Sequence, residues 1–167
     1  MKQNCEKTQS KTLKYVNKSN NENPTYADNG SSGFDLRAYI TEKNGGTLNL
    51  MTNSYEISLK PLQRMMIHTG IYFDVPEGTE IQVRPRSGLA IKYGVTVLNS
   101  PGTIDADYRG EICVELINLS NKPYTIYFGD RIAQLVFNKY EQAKFIKVEE
   151  LSETERGEGG FGHTGNK

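Results

Sequence analysis

The chain has 167 residues with 20 basic and 20 acidic side chains, so its formal net charge is zero. This length suits one domain, and the balanced charge excludes a generally basic surface of the kind that binds nucleic acid. The sequence has no run of about 20 apolar residues, which excludes a membrane-spanning helix. The opening residues MKQNCEKTQSKT lack the apolar core of a secretory signal. We therefore expect a soluble cytoplasmic protein, or a nuclear one if its source is eukaryotic or viral.

In chain order, residues 1–20 are polar and predict an N-terminal extension, and the Asn-rich residues 17–30 predict a loop. From residue 55 onward, short segments rich in Ile, Val, Tyr and Phe alternate with turn sequences such as PEG, SPG and NKP. These segments predict strands: YEISL, RMMIHTGIYFDV, TEIQVRP, GVTVL, EICVELINL, YTIYF, RIAQLVF and KFIKVEEL. Many short strands with regular turns are typical of an all-β sandwich or barrel.

Three segments allow finer predictions. SGLAIKYG predicts a short helix that begins at Ser87 and ends at Gly94. TEKNGGTLNLMTNS, residues 41–54, predicts a hairpin or excursion around Gly45-Gly46, to which we assign no role. EICVELINL alternates apolar with polar residues, so it predicts a strand that buries Ile112, Val114 and Leu116 and turns Glu111, Cys113 and Glu115 the other way. The two cysteines, Cys5 and Cys113, show neither a disulfide pattern nor the spacing of a zinc site.

The C-terminal segment contains a glycine pattern that resembles two nucleotide-binding motifs but fits neither. Both the dinucleotide fingerprint and the phosphate loop need a helix after the glycines, and only five residues follow Gly162. Glycine backbone N–H groups can still converge on an anion. Arg156 offers a guanidinium fork for phosphate oxygens, and Thr164 offers a hydroxyl. The alternative at this point is that the C-terminal segment is a flexible tail with no function.

Two strand ends carry groups that suit phosphate. In RPRSGLA, Arg86, Ser87 and Gly88 can offer a guanidinium, a hydroxyl and a backbone N–H to one phosphate group. The alternative is a capped turn with its arginines in solvent. In DRIAQLVF, Arg131 and Gln134 interrupt an apolar strand, and the alternative there is a cross-strand ion pair and a solvent-facing amide.

Two further segments carry carboxylates. In LNSPGTIDADYRGE, Asp105 and Asp107 share a face of an extended chain, and a carboxylate beside a phosphate can orient and deprotonate a water. Asn99 has the donor and acceptors that suit a pyrimidine edge, and Tyr108 can wall off a sugar, although an ordinary Asp-rich turn is the alternative. In SGFDLRAY, Asp35 stands between apolar residues and can face a metal-bound water or accept backbone bonds in a turn.

Five segments, SGFDLRA, PRSGLA, NSPGTIDADYRGE, RIAQL and RGEGGFGHTG, in this order closely resemble the five motifs of the trimeric deoxyuridine triphosphatase (dUTP pyrophosphatase) family. The resemblance implies a jelly-roll-like β-barrel over residues 21–150 and a homotrimer with active sites at its subunit interfaces. It also implies that residues 151–167 form a flexible arm closing a neighbouring site. The implied reaction converts dUTP to dUMP and pyrophosphate, which limits uracil in DNA and supplies dUMP for thymidylate synthesis.

The resemblance also implies a role for each matching residue. Asp105 is similar to the residue that orients and activates the attacking water, and Asp35 to the acidic residue that meets Mg²⁺ through its waters. The implied uracil cup comprises Asn99, Thr103, Ile104 and Cys113, with Tyr108 under the deoxyribose. The implied phosphate holders are Arg86, Ser87, Gly88 and Gln134. The arm contributes Arg156, the Gly157–Gly162 backbone, Phe161 over the uracil and Thr164.

The sequence departs from the family motif at one position, and two alternative functions are considered. His163 stands where the family usually has Ser or Thr, which removes a hydroxyl that a cationic imidazole can replace. The expected partners are dUTP, Mg²⁺ and two further copies of the chain, with no direct nucleic acid and no membrane. A dCTP deaminase-type or bifunctional relative shares the fold but needs a glutamate and a different serine–arginine arrangement. A nucleotide-sensing regulatory binding protein is the second alternative.

The zero net charge, combined with an anionic substrate, predicts an unevenly charged surface. We expect the glutamates of residues 149–155 to stay in solvent. We expect the cations to gather from different subunits at one interface: Arg86, Arg131 and Arg156.

Overall fold

The computed structural model describes residues 11–160, and strands dominate it. The elements in chain order are β1 (Lys14–Asn17), β2 (Gly33–Arg37), a 3₁₀ turn (Glu42–Asn44), β3 (Thr47–Asn49), β4 (Ser54–Leu59), β5 (Arg64–Ile67), β6 (Ile71–Asp74), β7 (Thr79–Arg84), α1 (Ser87–Tyr93), β8 (Val95–Val97), β9 (Gly102–Ile104), β10 (Val114–Asn118), β11 (Tyr124–Tyr127) and β12 (Arg131–Lys139). The prediction of an all-β fold is confirmed.

The strands pair antiparallel into four sheets. The largest sheet has the order β2-β12-β7-β9, and the three smaller sheets are β5-β10-β8, β11-β4-β3 and β1-β6. Within residues 11–160 none of these sheets closes on itself, so the predicted barrel is seen as separate sheets around one apolar core. The predicted N-terminal extension over residues 1–20 contains β1, which pairs with β6.

The alternation predicted in EICVELINL is confirmed. Ile112, Val114 and Leu116 are buried, whereas Cys113 and Glu115 on the opposite side are half-buried. Regular strand pairing begins only at Val114, which is later than predicted. The preceding Ile112 attaches to the start of β6 instead, because its N–H donates to the Ile71 carbonyl at 2.8 Å.

The segment RMMIHTGIYFDV forms two strands rather than one. A turn over residues 68–70 separates β5 from β6. Gly70 has a φ of +70°, and a Cβ at this position would lie 2.7 Å from the Ser19 backbone nitrogen. Only glycine fits this turn without a shift in the backbone. The turn is also attached to the chain after β1, since the Lys18 N–H donates to the Gly70 carbonyl at 2.8 Å.

The predicted helix is confirmed as α1, which begins at Ser87 and is followed by Gly94. The Gly94 N–H donates to the Ala90 carbonyl at 3.0 Å, which satisfies a carbonyl at the helix end. Leu89 is the one buried residue of α1 and attaches it to the core. No helix among residues 11–160 is long and apolar enough to cross a membrane.

The strand predicted for KFIKVEEL is wrong. Residues 140–160 contain no strand and are almost entirely exposed, with Phe145 at 96% and Leu151 at 86% exposure. The composition of this segment suits a strand, but within residues 11–160 it pairs with none of the four sheets. The glutamates of residues 149–155 are exposed, as predicted.

The segment over residues 41–54 is a hairpin, but its turn is not where the glycines predict it. Gly45 ends the 3₁₀ turn, and β3 then pairs with β4 through a turn over residues 50–53. The glycine pair therefore marks the end of a 3₁₀ turn rather than the hairpin tip.

Asn118 is a fully buried polar residue whose replacement we expect to destabilise the fold. Its Nδ2 donates to the carbonyls of Leu59 at 2.9 Å and Lys122 at 2.8 Å, and its Oδ1 accepts from the Ser120 N–H at 2.9 Å. Asn118→Ala leaves these groups without partners, so we expect a loss of about 3 kcal/mol in the free energy of unfolding. Chemical denaturation at fixed protein concentration measures this loss. The exposed Asn121→Ala is the matched control, and equal stability of the two variants would contradict the role given to Asn118.

Candidate functional site

Asp35, Arg86 and Arg131 form an ion-paired cluster at one end of the largest sheet. Arg86 Nε donates to Asp35 Oδ1 at 2.9 Å, and Arg131 Nη1 donates to Asp35 Oδ2 at 3.3 Å. Arg86 Nη1 also donates to the Arg131 carbonyl at 3.2 Å. The three residues come from β2, from the connection between β7 and α1, and from β12. Two cations thus share one carboxylate, which leaves a local excess of positive charge.

The register of the sheet places Gln134 beside this cluster. In β12, Gln134 lies opposite Asp35 of β2 and opposite Arg84 of β7. Its Nε2 donates to the Pro85 carbonyl at 2.9 Å, which attaches β12 to the segment that carries Arg86. The structure therefore brings together three sequence-predicted site residues, Asp35, Arg86 and Gln134.

The cluster is open to solvent on one side. The exposed side-chain fractions are 27% for Arg86, 32% for Asp35 and 53% for Arg131. A cavity of about 320 Å³ is lined by residues that include Asp35, Arg131 and Gln134. Guanidinium groups in this position can donate paired hydrogen bonds to phosphate oxygens. This face of the sheet therefore suits an oligophosphate.

Ser87 and Gly88 begin α1 directly after Arg86. Ser87 is exposed, and a Cβ at Gly88 would meet no heavy atom within 4 Å. The hydroxyl and the backbone at this helix start are thus open to a ligand near the arginine cluster.

The hairpin around Asp105 continues from β9. β9 pairs with β7, with Thr103 opposite Gln82 and Ile104 opposite Ile81. Asp105 is exposed, and its carboxylate makes no hydrogen bond or ion pair with any residue in the described range 11–160. Such a carboxylate has all its lone pairs available to accept a hydrogen bond from water.

Asn99 lies before β9, where the chain approaches β7 closely. A Cβ at Gly102 would lie 3.3 Å from Val83 Cβ and 3.4 Å from Asn99 Nδ2. A side chain at Gly102 would therefore crowd Val83 and contact the Asn99 amide, which the sequence predicts to bind the base. The predicted base contacts Asn99, Thr103 and Ile104 thus lie on one short stretch of chain.

Two side chains brace the hairpin, and sequence reasoning missed both contacts. Arg109 Nη1 donates to the Ala106 carbonyl at 2.7 Å, while its Nη2 lies 2.8 Å from Asp74 Oδ1 in β6. The Tyr108 hydroxyl donates to the Glu111 carbonyl at 2.9 Å. Arg109 thus fastens the turn after Asp105 to a strand of another sheet. The partner in β6 is distant in sequence, so no local spacing predicts this contact.

Glu111 fixes the far side of the hairpin to the β5–β6 turn. Its Oε1 accepts from the N–H groups of Thr69 at 3.1 Å and Gly70 at 2.8 Å, and its Oε2 lies 2.9 Å from His68 Nδ1. Burial raises the pKa of Glu111, but the hydrogen bonds from His68 and the two amides outweigh it, so the pKa lies below its ordinary value. The stabilisation from this carboxylate is therefore present at neutral pH and is lost as the pH falls through the lowered pKa.

Cys113 completes this group. Its Sγ lies 3.7 Å from His68 Nδ1. Burial, together with the negative charge of Glu111, raises the pKa of the Cys113 thiol to about 11. The side chain of Cys113 therefore contacts His68, so only its backbone is left for the base-binding role that the sequence predicts.

Within one chain, the Asp105 end of the hairpin lies away from the arginine cluster. Ile104, just before Asp105, lies opposite Ile81, three positions or about 10 Å along β7 from Arg84, whereas Gly102 lies opposite Val83, next to Arg84. No residue of the hairpin over 99–108 lines the cavity that contains Asp35. Within residues 11–160, the predicted base contacts therefore do not line the cavity beside Asp35.

The arm residues are described only in part. Arg156 lies in an exposed turn, where its Nε donates to the Gly159 carbonyl at 2.6 Å. Phe161, Gly162, His163 and Thr164 lie outside the described residues. The sequence predicts that Arg86, Arg131 and Arg156 come together from different subunits. Arg86 and Arg131 meet within one chain, so only the approach of Arg156 needs a second subunit.

Comparison with known sequences points to one family. A family model described as dUTPase matches residues 46–165. The chain is 56% identical to the deoxyuridine 5'-triphosphate nucleotidohydrolase of Finegoldia magna over 153 residues, which cover 92% of this chain and 98% of that protein. It is 55% identical to the protein of the same name from Cytophaga hutchinsonii over 154 residues, which cover 92% of each chain.

Solved structures support the same fold. The Staphylococcus bacteriophage 80alpha dUTPase with dUPNHPP is similar with a TM-score of 0.75 and 23% identity, covering 93% of this chain and 99% of that one. A mutant dUTPase from phage phi11 of S. aureus, described for the coordination of a structural Mg(II) ion, has a TM-score of 0.71 and 20% identity, covering 86% and 100%. From the family match and the identity to these relatives, the chain belongs to the dUTPase family.

Proposed function

We propose that the protein is a dUTP diphosphatase, which hydrolyses dUTP to dUMP and pyrophosphate. The observation that carries this proposal is the pair of guanidinium groups on Asp35, which suits an oligophosphate beside a sheet edge that continues into the Asp105 hairpin. Relatives at 56% and 55% identity carry the name deoxyuridine 5'-triphosphate nucleotidohydrolase. Such turnover limits uracil incorporation into DNA and supplies dUMP for thymidylate synthesis.

The proposed reaction is an attack of water on the α-phosphorus. Asp105 accepts a proton from the water as its oxygen bonds to phosphorus. The bond from the α-phosphorus to the bridging oxygen breaks, and pyrophosphate leaves with the electron pair. Arg86, Ser87, Gly88 and Gln134 hold the phosphate oxygens. Fixed donors of this kind stabilise charge that is redistributed in the transition state, which is the main source of catalysis in phosphoryl transfer.

The donor set fits a magnesium ion that is held mostly by the substrate. Mg²⁺ prefers oxygen ligands and keeps several waters beside substrate phosphates. Asp35 is 32% exposed, and both of its oxygens are engaged by arginines, which suits contact through a water rather than direct ligation. When bound, Mg²⁺ would neutralise charge on the triphosphate.

We also propose that the complete site is assembled between subunits of a homotrimer. No residue of the hairpin over 99–108 lines the cavity beside Asp35, and a second copy would bring its own hairpin to that cavity. The exposed residues 141–160 carry apolar side chains, such as Phe145 and Leu151, that suit burial against a neighbouring copy. The arm over residues 151–167 would place Arg156 and Phe161 over a neighbour's nucleotide.

Selectivity for uracil is assigned to the hairpin. Asn99 and the backbone of Thr103 and Ile104 offer polar groups to a pyrimidine edge, and cytosine would leave some of them unpaired. A mismatch of this kind can lower kcat/KM by roughly 10⁴-fold. Tyr108 would exclude a 2′-hydroxyl, and the backbone near Cys113 would exclude the methyl group of thymine.

A panel of nucleotides tests this proposal. We expect pyrophosphate release from dUTP, with kcat/KM for dCTP, dTTP and UTP lower by on the order of 10³ or more. A coupled pyrophosphate assay measures the release, and an ammonia assay with dCTP runs beside it. Ammonia from dCTP would indicate a deaminase, and dUTP binding without pyrophosphate release would indicate a sensing protein. Either result contradicts the proposal.

A further inference from the structure

A second chemical cluster is made of side chains that the proposed nucleotide contacts do not use. His68, Glu111 and Cys113 each offer one ligand atom, and these atoms lie within 4.8 Å of one another. The cluster joins the β5–β6 turn to the segment before β10. The exposed side-chain fractions are 33% for His68 and 20% for Glu111, so the cluster is sheltered but reachable from solvent.

The Glu111 carboxylate is already oriented for ligation. Its Oε1 is held by the Thr69 and Gly70 amides at 3.1 and 2.8 Å, which leaves Oε2 directed at His68 Nδ1. Hydrogen bonds to the distal oxygen of a carboxylate are the usual outer support of a metal ligand. Both donors are backbone N–H groups, so the orientation of the carboxylate does not depend on further side chains.

The donor atoms identify the class of cation. A thiolate, an imidazole and a carboxylate with one open position form a set typical of Zn²⁺, and sulfur disfavours Mg²⁺. Zn–N distances of about 2.0 Å and Zn–S distances of about 2.3 Å put tetrahedral ligand atoms about 3.3–3.5 Å apart. The observed separations are 2.9 Å from His68 Nδ1 to Glu111 Oε2 and 3.7 Å to Cys113 Sγ. These two separations differ from the tetrahedral values by a few tenths of an ångström, and the third, between Glu111 and Cys113, is within 4.8 Å.

We propose that His68, Glu111 and Cys113 bind one thiophilic divalent cation of the Zn²⁺ class per chain, with water as the fourth ligand. Binding replaces the Cys113 thiol proton, which is released to solvent, and no oxidation is involved. The Glu111 carbonyl accepts a hydrogen bond from the Tyr108 hydroxyl at 2.9 Å, so one ligand of the cation is also an anchor of the Asp105 hairpin.

Cobalt titration of the full-length protein tests this proposal. In a Cys5→Ser background, Cys113 is the sole remaining thiol. We expect Co²⁺ to produce a thiolate-to-cobalt charge-transfer band that saturates at one ion per chain and is abolished by stoichiometric Zn²⁺. Adding Cys113→Ser should abolish the band, and His68→Gln should weaken Co²⁺ binding at least tenfold.

His163→Gln is the matched control, because His163 is the other histidine of the sequence, and it should leave the band unchanged. Thermal unfolding without Co²⁺ checks that each variant is folded. If Cys113→Ser misfolds, the proposal is tested by comparing Co²⁺ binding to His68→Gln and to His163→Gln. Absence of a charge-transfer band, its survival in Cys113→Ser, or equal loss in both histidine variants would overturn the proposal.

Discussion

Asp105→Asn is expected to lower kcat for dUTP by about 10³-fold while dUTP binding remains measurable. The asparagine keeps the shape of the side chain but cannot accept a proton from water, and a positioned general base typically contributes 10²–10⁴ in rate, here taken as about 10³. The carboxylate makes no contact within residues 11–160 that its loss would disturb, so the fold should be unaffected. Pyrophosphate release and equilibrium binding of dUTP measure the two effects separately.

Asp107→Asn is the matched control, because Asp107 is exposed on the same turn and undergoes the same loss of charge. We expect a change of less than about tenfold in kcat for this variant. If Asp107→Asn is the inactive protein and Asp105→Asn turns over normally, the base has been assigned to the wrong carboxylate.

Removal of residues 156–167 is expected to lower kcat/KM for dUTP by on the order of 10²-fold or more while the oligomer stays assembled. The truncation removes Arg156 and the proposed uracil cover Phe161, and loss of a single charge-stabilising donor typically costs about 10²–10³ in rate. Steady-state kinetics and light scattering measure the two outcomes. Arg156→Ala separates the contribution of the guanidinium from that of the remaining arm. Unchanged activity of the truncated protein would contradict the arm proposal.

Local features of the fold could be predicted from the sequence. Helix α1 and the alternation around Val114 follow from residue spacing within ten positions, and both are confirmed. The strand predicted for KFIKVEEL is wrong, because the composition of a segment favours a strand but cannot supply the neighbouring edge that a strand needs. The run over residues 64–75 is split by a close approach to Ser19, which no periodicity within the run indicates.

The candidate site, like the fold, could be predicted from the sequence only in part. Motif resemblance marks Asp35 and Arg86, which are 51 positions apart in sequence and 2.9 Å apart in the structure. The contacts of Arg109 with Asp74 and of Glu111 with His68 carry no comparable signal, because each joins a charged residue of the hairpin to a distant strand or turn. Such pairs look like ordinary surface charges until the chain is folded.

The contacts of Asp35 give the arginine cluster an internal counter-ion. Two guanidinium groups repel one another, and without Asp35 they would separate into solvent before a nucleotide arrives. Holding both at 2.9 and 3.3 Å from one carboxylate means that the phosphates meet cations already gathered. The work of bringing like charges together is then done during folding rather than during each substrate encounter, so less of the nucleotide's binding energy is lost to reorganisation.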